Sequence, residues 1–560
     1  MIEWLHPSLL LIVGAPLAAL MRGRLQQAYL LVLPAAALVQ VMTLPAGNYA
    51  SFEVYGLTLE PLRVDALSLV FATVFAIILL IGAIYALHLR QTLQHVAALI
   101  YAGSALGVVF AGDLVTLYVF WEIMAFASVW LIWCRGKEVS WQAGWRYLFV
   151  HATGGILLLS GIVLYALETG SVAFGAIESG GIAFYVILLG FAINAAIPPL
   201  HAWLTDAYPE ATVTGAIFLS AFTTKTAVYT LIRGYPGTEL LVWLGVTMAI
   251  YGVVYAVLAN DIRRLLAYHI VSQVGYMVAG VGMGTAVALN GAASHAFTHI
   301  LYKALLLMGA GAVLHMTGRS KLTELGGLYR WMPATFMLYM VGAFSISAFP
   351  LFSGFVSKTM VVEAAAIDGR AAIWLMLSLA SAGTFLHTGL KLPYFTFFSE
   401  DSGLRPREAP ANMRLAMAIA AGLCIFLGVY PDWLYAMLPA PVDYQPYTTG
   451  HVIWEFQLLL FTGVGFFMLL GHLGGEAKIS LDTDWFYRRL MPRCIAPLIA
   501  INKWVVQRLL SGWALFERAT AMMFRALAQR DDRLTNDVAI GESVFMVLLL
   551  LAICLLLYIA

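Results

Sequence analysis

The sequence predicts an all-α, polytopic membrane protein with about sixteen transmembrane helices. Three observations predict it. Of 560 residues, 62% are hydrophobic and 11% charged, whereas a soluble domain carries about 25% charged residues. Apolar runs of about twenty residues, each long enough to cross a hydrocarbon layer about 30 Å thick, recur along most of the chain. The basic residues also gather in alternate connecting segments, as a defined topology requires.

In order, the spans cover 7–22, 27–45, 64–89, 93–111, 113–134, 142–167, 182–203, 211–234, 239–259, 265–284, 290–316, 334–366, 371–398, 412–438, 451–472 and 541–560. The opening stretch, MIEWLHPSLLLIVGAPLAALMRGR, sets Glu3 before the apolar run and its basic residues after it, which favours a first span over a cleavable signal. Two spans carry helix-disrupting prolines. The seventh has Pro198 and Pro199 in AINAAIPPLHAWL, and the twelfth has Pro350, with Gly354 nearby, in SAFPLFSGFVSK. Broken helices at membrane depth are tolerated where they are buried in protein or line a cavity. Their separation by five spans, and the faint likeness of INAAIPPL to ISAFPL, predict two repeats of inverted topology.

With the N-terminus outside, 24 basic residues lie on inner-side segments and three, Arg63, Arg233 and Arg370, on outer ones. That bias follows the positive-inside rule and puts both termini outside. The remaining four basic residues are lysines within spans: Lys225, Lys303, Lys358 and Lys391.

A lysine at a helix centre costs roughly 2.5–3.5 kcal/mol on insertion scales. Lys391 lies near a span end, from which its ammonium could snorkel to the interface. Lys225, Lys303 and Lys358 lie deeper, and one acid, Glu122, sits mid-span. SHAFTHILYKALLLMGAGAVL places His295, His299 and Lys303 at i, i+4 and i+8 of one helix face, a ladder about 12 Å tall. One such group alone reads equally well as a satisfied interhelical contact. Collected in one bundle, they read as a proton relay, because intramembrane ionisable groups mark ion paths and histidine titrates near neutrality.

Other chemistry finds little support. Cys134, Cys424, Cys494 and Cys554 are scattered without metal-site or disulfide spacing. No Gly-rich phosphate loop, nucleophilic triad or redox motif stands out, and Ser294 beside His295 has no third member. No cofactor and no metal are expected. The net charge of +1 and the lack of a basic stripe give no reason to expect a nucleic-acid partner.

Six stretches carry a resemblance: GDLVTLYVFWEIMAFAS, PPLHAWLTDAYPEATVTGAIFLSAFTTKTAVY, DIRRLLAYHIVSQVGYM, SHAFTHILYKALLLMGAGAV, LTELGGLYRWMP and AFPLFSGFVSK. In order over about residues 100–360, they resemble the proton-conducting antiporter-like subunits of Mrp-type sodium/proton antiporters, NADH:quinone oxidoreductase and membrane-bound hydrogenases. The wording is most similar to the D-type antiporter subunit. The resemblance implies two inverted five-helix repeats around a mid-membrane polar axis. It also implies a relay through Glu122, Lys225, His295, His299, Lys303 and Lys358, with Asn194, Lys391 and His201 as accessory candidates. One departure stands out. The family usually has a lysine before the break of the seventh span, and this chain has Asn194. Glu122 then lacks its usual partner, and Lys225 is the only deep lysine of the same half. Arg263 for a lysine in DIKR is a milder change.

The resulting organisation is N-terminal helices over 1–92, a first half-channel repeat over 93–234, a second over 239–398, additional helices over 412–472, an inner-face amphipathic lateral helix over 476–537 and a terminal anchor over 541–560. The lateral helix is read from eight basic residues and one acid between Trp485 and Arg530, with the aromatic anchors Trp485, Phe486, Trp504 and Trp513. Pro492 and Pro497 are expected to break it near its start.

The expected function is a proton-translocating subunit of a cation (Na+)/proton antiporter in a bacterial or archaeal cytoplasmic membrane, with other membrane subunits, the bilayer, protons and sodium as partners. The alternatives are an antiporter-like subunit of a redox-driven pump, an energy-coupling subunit for inorganic-carbon uptake, and a purely structural clamp.

Overall fold

The computed structural model describes residues 6–178, 180–474, 476, 481–528, 544, 547–549 and 551. It separates into two units, Met1–Asp482 and Thr483–Ala560. Among the described residues, twelve helices are long and apolar enough to cross a membrane, and three shorter apolar helices accompany them. Every expected span up to 451–472 has a helical counterpart, but the expected sixteenth, 541–560, falls almost wholly outside the described residues.

The N-terminal helices are α1 (Pro7–Gly14), α2 (Leu17–Leu20) and α3 (Gly23–Thr43). The expected loop after α3 instead folds as two short antiparallel pairs from β1 (Gly47–Tyr49), β2 (Phe52–Val54), β3 (Leu57–Leu59) and β4 (Leu62–Val64), paired β1 with β4 and β2 with β3. Asp65 then opens α4 (Ala66–Ala86) by a reciprocal capping box with Ser68.

The first repeat follows as α5 (Thr92–Phe110), α6 (Leu114–Trp133), α7 (Glu138–Thr169), α8 (Ile182–Asn194), the short α9 (Ala202–Ala207), α10 (Gly215–Ala221) and α11 (Thr223–Gly234). The second runs through α12 (Glu239–Leu258), α13 (Ile262–Met283), α14 (Ala286–Thr317), α15 (Pro333–Ile346), α16 (Ser353–Ile367) and α17 (Ala371–Thr384), the last continuing as π-helical turns over Phe385–Lys391 and Tyr394–Phe398. The two series share landmarks displaced by 148 residues. Asp113 caps α6 and Asp261 caps α13. Bridges join Asp113 to Ala173 and Asp261 to Lys321. α7 and α14 each have 32 residues and end on left-handed Gly170 and Gly318. Five spans, an odd number, separate each pair, so the two copies traverse the bundle in opposite senses.

Both expected breaks are present, and they share one local geometry. α8 ends with Ala196 at φ 58°, the Ala196 amide donating to Ile193 and that of Ile197 to Ala192. α15 ends with Ala348 at φ 58°, Ala348 donating to Ser345 and Phe349 to Phe344. Each is a Schellman cap followed by proline, which satisfies the orphan carbonyls and prevents the helix from resuming.

A third break was not expected. At Phe222, between α10 and α11, side chains enter the backbone ladder: Tyr208 donates to the Leu219 carbonyl, the Thr223 amide donates to Tyr101, and Lys225 donates to the Ser220 carbonyl. Side chains inserted into a helix's hydrogen-bond ladder are a recognised cause of kinks.

The repeats pack closely where glycines face backbone. A Cβ on Gly245 of α12 would meet the Ala279 nitrogen of α13 at 2.3 Å, and one on Gly275 the Ala249 nitrogen at 2.5 Å. Small residues let helix backbones approach in lipid, where the hydrophobic effect cannot drive association. Beyond the repeats lie α18 (Ala411–Val429), α19 (Asp432–Tyr435), α20 (Thr449–Met468) and α21 (Leu470–Leu473).

In the second unit, a π-helical turn over Phe486–Leu490 leads into α22 (Met491–Ala528), about 57 Å long at 1.5 Å per residue. Pro492 and Pro497 do not break it. Pro492 follows the π-helical turn and Pro497 lies further inside, and each forfeits a backbone N–H without ending the helical run.

Candidate functional site

The α14 ladder is formed as its spacing predicts. His295, His299 and Lys303 are fully buried. The two imidazoles have centroids 6.0 Å apart, and Tyr302 stands 5.3 Å from His299. His295 Nδ1 lies 3.3 Å from the Ser357 hydroxyl of α16, which pairs with Thr298 at 2.6 Å. Among the described residues, neither ring nitrogen of His299 has a hydrogen-bond partner.

From Lys303 the polar axis continues through residues that the sequence left unmarked. Lys303 Nζ lies 3.2 Å from His269 Nδ1 on α13, and the His269 ring centroid is 4.9 Å from that of His387. His387 and Lys391 share the π-helical turn that extends α17, a distortion frequent at functional sites. Lys391 does not snorkel. It is 2% exposed, and its ammonium donates to the carbonyls of Val257 and Ala259 at the end of α12. A buried ammonium needs such acceptors, because its desolvation is otherwise uncompensated.

Lys225 is fully buried just past the Phe222 kink. Its ammonium donates to the Ser220 carbonyl at 2.7 Å and to the Thr224 hydroxyl at 3.1 Å. It interacts electrostatically with His295, His299 and Lys303, so it faces the ladder across the repeat boundary. Lys358 of α16 donates to the Ile346 carbonyl at 3.3 Å, at the second break, and lies 5.9 Å from the Tyr276 ring centroid. Its electrostatic partner is Glu455 of α20, 6% exposed on a helix that is otherwise mostly exposed. Glu455 falls near a span end in the sequence, where an acid is cheap to place, and so carried no signal.

The first repeat is arranged differently. Glu122 of α6 forms no hydrogen bond and no ion pair among the described residues, and its Oε1 is buried. Lys225 therefore does not take the place of the absent lysine partner. The carboxylate lies against Gly155 of α7, where a Cβ would stand 1.9 Å from Oε1. One turn away, the buried His151 ring packs at 4.2 Å from Tyr147 and 4.5 Å from Trp203, and the Asn194 amide lies against it. His151 is a further residue that the sequence left unmarked.

His201 stands apart from the relay. It follows the first break, and its Nε2 lies 3.2 Å from Asp482 Oδ1. Tyr251 and Tyr268 donate to the same carboxylate. Burial pushes the Asp482 carboxyl upward, but His201 and the two phenols override it and hold the acid well below the usual carboxylate range.

Comparisons with known proteins agree with this architecture. The family described as NADH:quinone oxidoreductase/Mrp antiporter, TM, matches residues 111–386. An uncharacterized protein of Methanocaldococcus jannaschii is 30% identical over 364 residues, 60% of this chain and 75% of that protein. The D-type Na(+)/H(+) antiporter subunit of Alkalihalophilus pseudofirmus is 31% identical over 331 residues, 55% of this chain and 66% of that protein. Among solved structures, a chain of the membrane-bound sulfane sulfur reductase, an archaeal respiratory membrane complex, is 24% identical with a TM-score of 0.73, covering 98% of this chain and 100% of its own; it is a match of fold.

Proposed function

The chain belongs to the NADH:quinone oxidoreductase/Mrp antiporter transmembrane family, and from that premise we propose that it is a proton-translocating subunit of a multisubunit monovalent cation (Na+)/proton antiporter. Protons pass along Glu122, Lys225, His295, His299, Lys303 and Lys358. His269, His387 and Lys391 carry the axis on to the end of α12, next to the basic residues Arg263 and Arg264. The protein sits in a bacterial or archaeal cytoplasmic membrane, with both termini outside, beside other membrane subunits. Asn194 and His201 flank the first break as accessory residues.

One observation carries this reading. Buried lysines and histidines on α11, α13, α14, α16 and the α17 extension meet in one axis, with His299 unpartnered at its middle. Burying so many titratable groups is costly, and they persist in membrane interiors where they conduct.

The test is to isolate the chain with its partners and measure pH gradients in inverted vesicles with and without sodium. Sodium-dependent proton movement, with no flavin or iron–sulfur chromophore in the isolated assembly, supports the antiporter. Partners that bind flavin or iron–sulfur clusters assign the chain to a redox-driven pump instead. A cysteine introduced near Arg525 should react with impermeant reagents only from the inner side; labelling only from outside would reverse the orientation.

A further inference from the structure

The two repeats contain one long helix twice. α7 and α14 match in length and in their left-handed glycine caps at a constant displacement of 148 residues. The register holds within them. HATGGILLLSG from His151 and HILYKALLLMG from His299 share the histidine, three consecutive leucines and the closing glycine. His151 thus occupies in the first repeat the position that His299 occupies in the second, and Gly155 stands where Lys303 stands.

The surroundings of His151 are those of a proton-exchanging group. The ring is 2% exposed, and its Nε2 has no hydrogen-bond partner. Buried imidazoles that serve only packing normally satisfy their nitrogens. The Asn194 amide beside it also lacks a well-formed hydrogen bond, as does Glu122 Oε1. His151, Asn194 and Glu122 come from three helices and converge on one place, with Asn194 against the His151 ring. Gly155 makes this convergence possible. In the second repeat a lysine side chain leaves the helix there; in the first, the absence of a Cβ admits the Glu122 carboxylate from α6. Residues four apart share a helix face, so the carboxylate rests one turn from His151.

A route leads onward from His151. The adjacent Tyr147 hydroxyl pairs with Ser128 at 2.8 Å and interacts with Thr223. Thr223 pairs with Tyr101 at 2.6 Å, and the next residue, Thr224, accepts from the Lys225 ammonium at 3.1 Å.

We propose that His151 is the proton station of the first repeat, standing between Glu122 and the hydroxyl cluster that ends beside Lys225. The proposal rests on the proton-relay reading given above. The imidazole and carboxyl lie outside ion-pair distance, so exchange uses a bridging water or a rotation of Glu122. A protonated Glu122 gives its proton to the free imidazole nitrogen and returns to carboxylate. The resulting imidazolium releases a proton from its other nitrogen toward the hydroxyl cluster, and the neutral ring is restored.

The experiment compares proton flux in inverted vesicles holding the full complex for wild type, His151→Gln, His151→Gln with Asn194→Lys, and Lys225→Ala, with assembly checked for each. His151→Gln should lower flux at least tenfold at normal assembly. Asn194→Lys, which places a titratable cation in the same pocket, should recover at least threefold of that loss; a packing defect would not be recovered. If His151→Gln does not assemble, His151→Asn is judged by the same criteria. More than half the wild-type flux without the imidazole, or no recovery with Asn194→Lys, overturns the proposal. If Lys225→Ala is inactive in that case, the relay reading stands without His151. Near-normal flux in Lys225→Ala would instead remove the relay reading itself.

Discussion

In the second repeat, the long helix sets a lysine one turn beyond its histidine, and Lys303 reaches the neighbouring His269. In the first, the same turn holds Gly155, and the titratable group comes from another helix as the Glu122 carboxyl. The breaks differ in the same way. Near the second, Lys358 has the buried acid Glu455 as electrostatic partner; the first ends on Asn194, and Glu122 has no ion pair among the described residues. The backbone plan is duplicated, but the charges are not. One half assembles its axis from cations on successive helices, and the other brings a single carboxyl group to a pocket without a cation. Duplicated geometry can therefore hold different charges, provided that each buried ion has a nearby acceptor, partner or exchangeable proton.

The largest effect should come where the halves meet. Lys225→Ala should abolish proton flux, at least fiftyfold, with insertion intact, because Lys225 faces the α14 ladder from the first repeat; vesicle flux and complex yield check this together. Next is Glu455→Gln, which leaves Lys358 without its acid and should cost about tenfold in flux. Flux within a factor of two of wild type would make Glu455 a packing residue and remove one half of the contrast.

Smaller changes are expected at Glu122 and Asn194. Glu122→Gln should lower flux several-fold, less than Lys225→Ala, because no cation depends on that carboxylate for an ion pair. Asn194→Lys should insert, gain Glu122 as a partner and move the pH–activity profile. A Glu122→Gln protein as inactive as Lys225→Ala, with an unmoved profile for Asn194→Lys, would make Glu122 an ionised station of its own.

The smallest effect on transport is expected at Asp482. Asp482→Asn should leave flux near wild type and reduce stability by about 2 kcal/mol, the scale of hydrogen bonds to a buried charge. The sign follows from its lowered carboxyl. The stabilisation is complete above the ordinary carboxylate value of about 4 and declines as pH falls toward the lower folded value. Thermal unfolding at pH 7 and at progressively lower pH should therefore show the gap between wild type and variant narrowing with acidification.

Much of the fold was legible because hydropathy, proline and charge bias act locally. Each apolar run must bury its backbone polar groups within itself, so its length announces a span. Pro198 and Pro350 marked the breaks, and the i, i+4, i+8 spacing aligned His295, His299 and Lys303. Lys225 and Lys358 were visible because a lysine inside an apolar run is rare. The Phe222 kink was not legible, since Tyr101 and Tyr208 from elsewhere in the chain enter it, nor was the π-helical turn at Lys391, whose ammonium donates to carbonyls at the end of α12.

By itself, then, the sequence determined the class of fold, the apolar helices up to 451–472, the two proline breaks and the lysine-and-histidine ladder, because each depends on neighbours along the chain. Only the tertiary structure decided the partners. It put His269 and His387 after Lys303, Glu455 beside Lys358, Glu122 over Gly155 rather than on Lys225, and His201 on Asp482. The physical reason is that a buried charge is settled by whatever other helices bring within a few ångströms, in a medium too weakly polar to screen it.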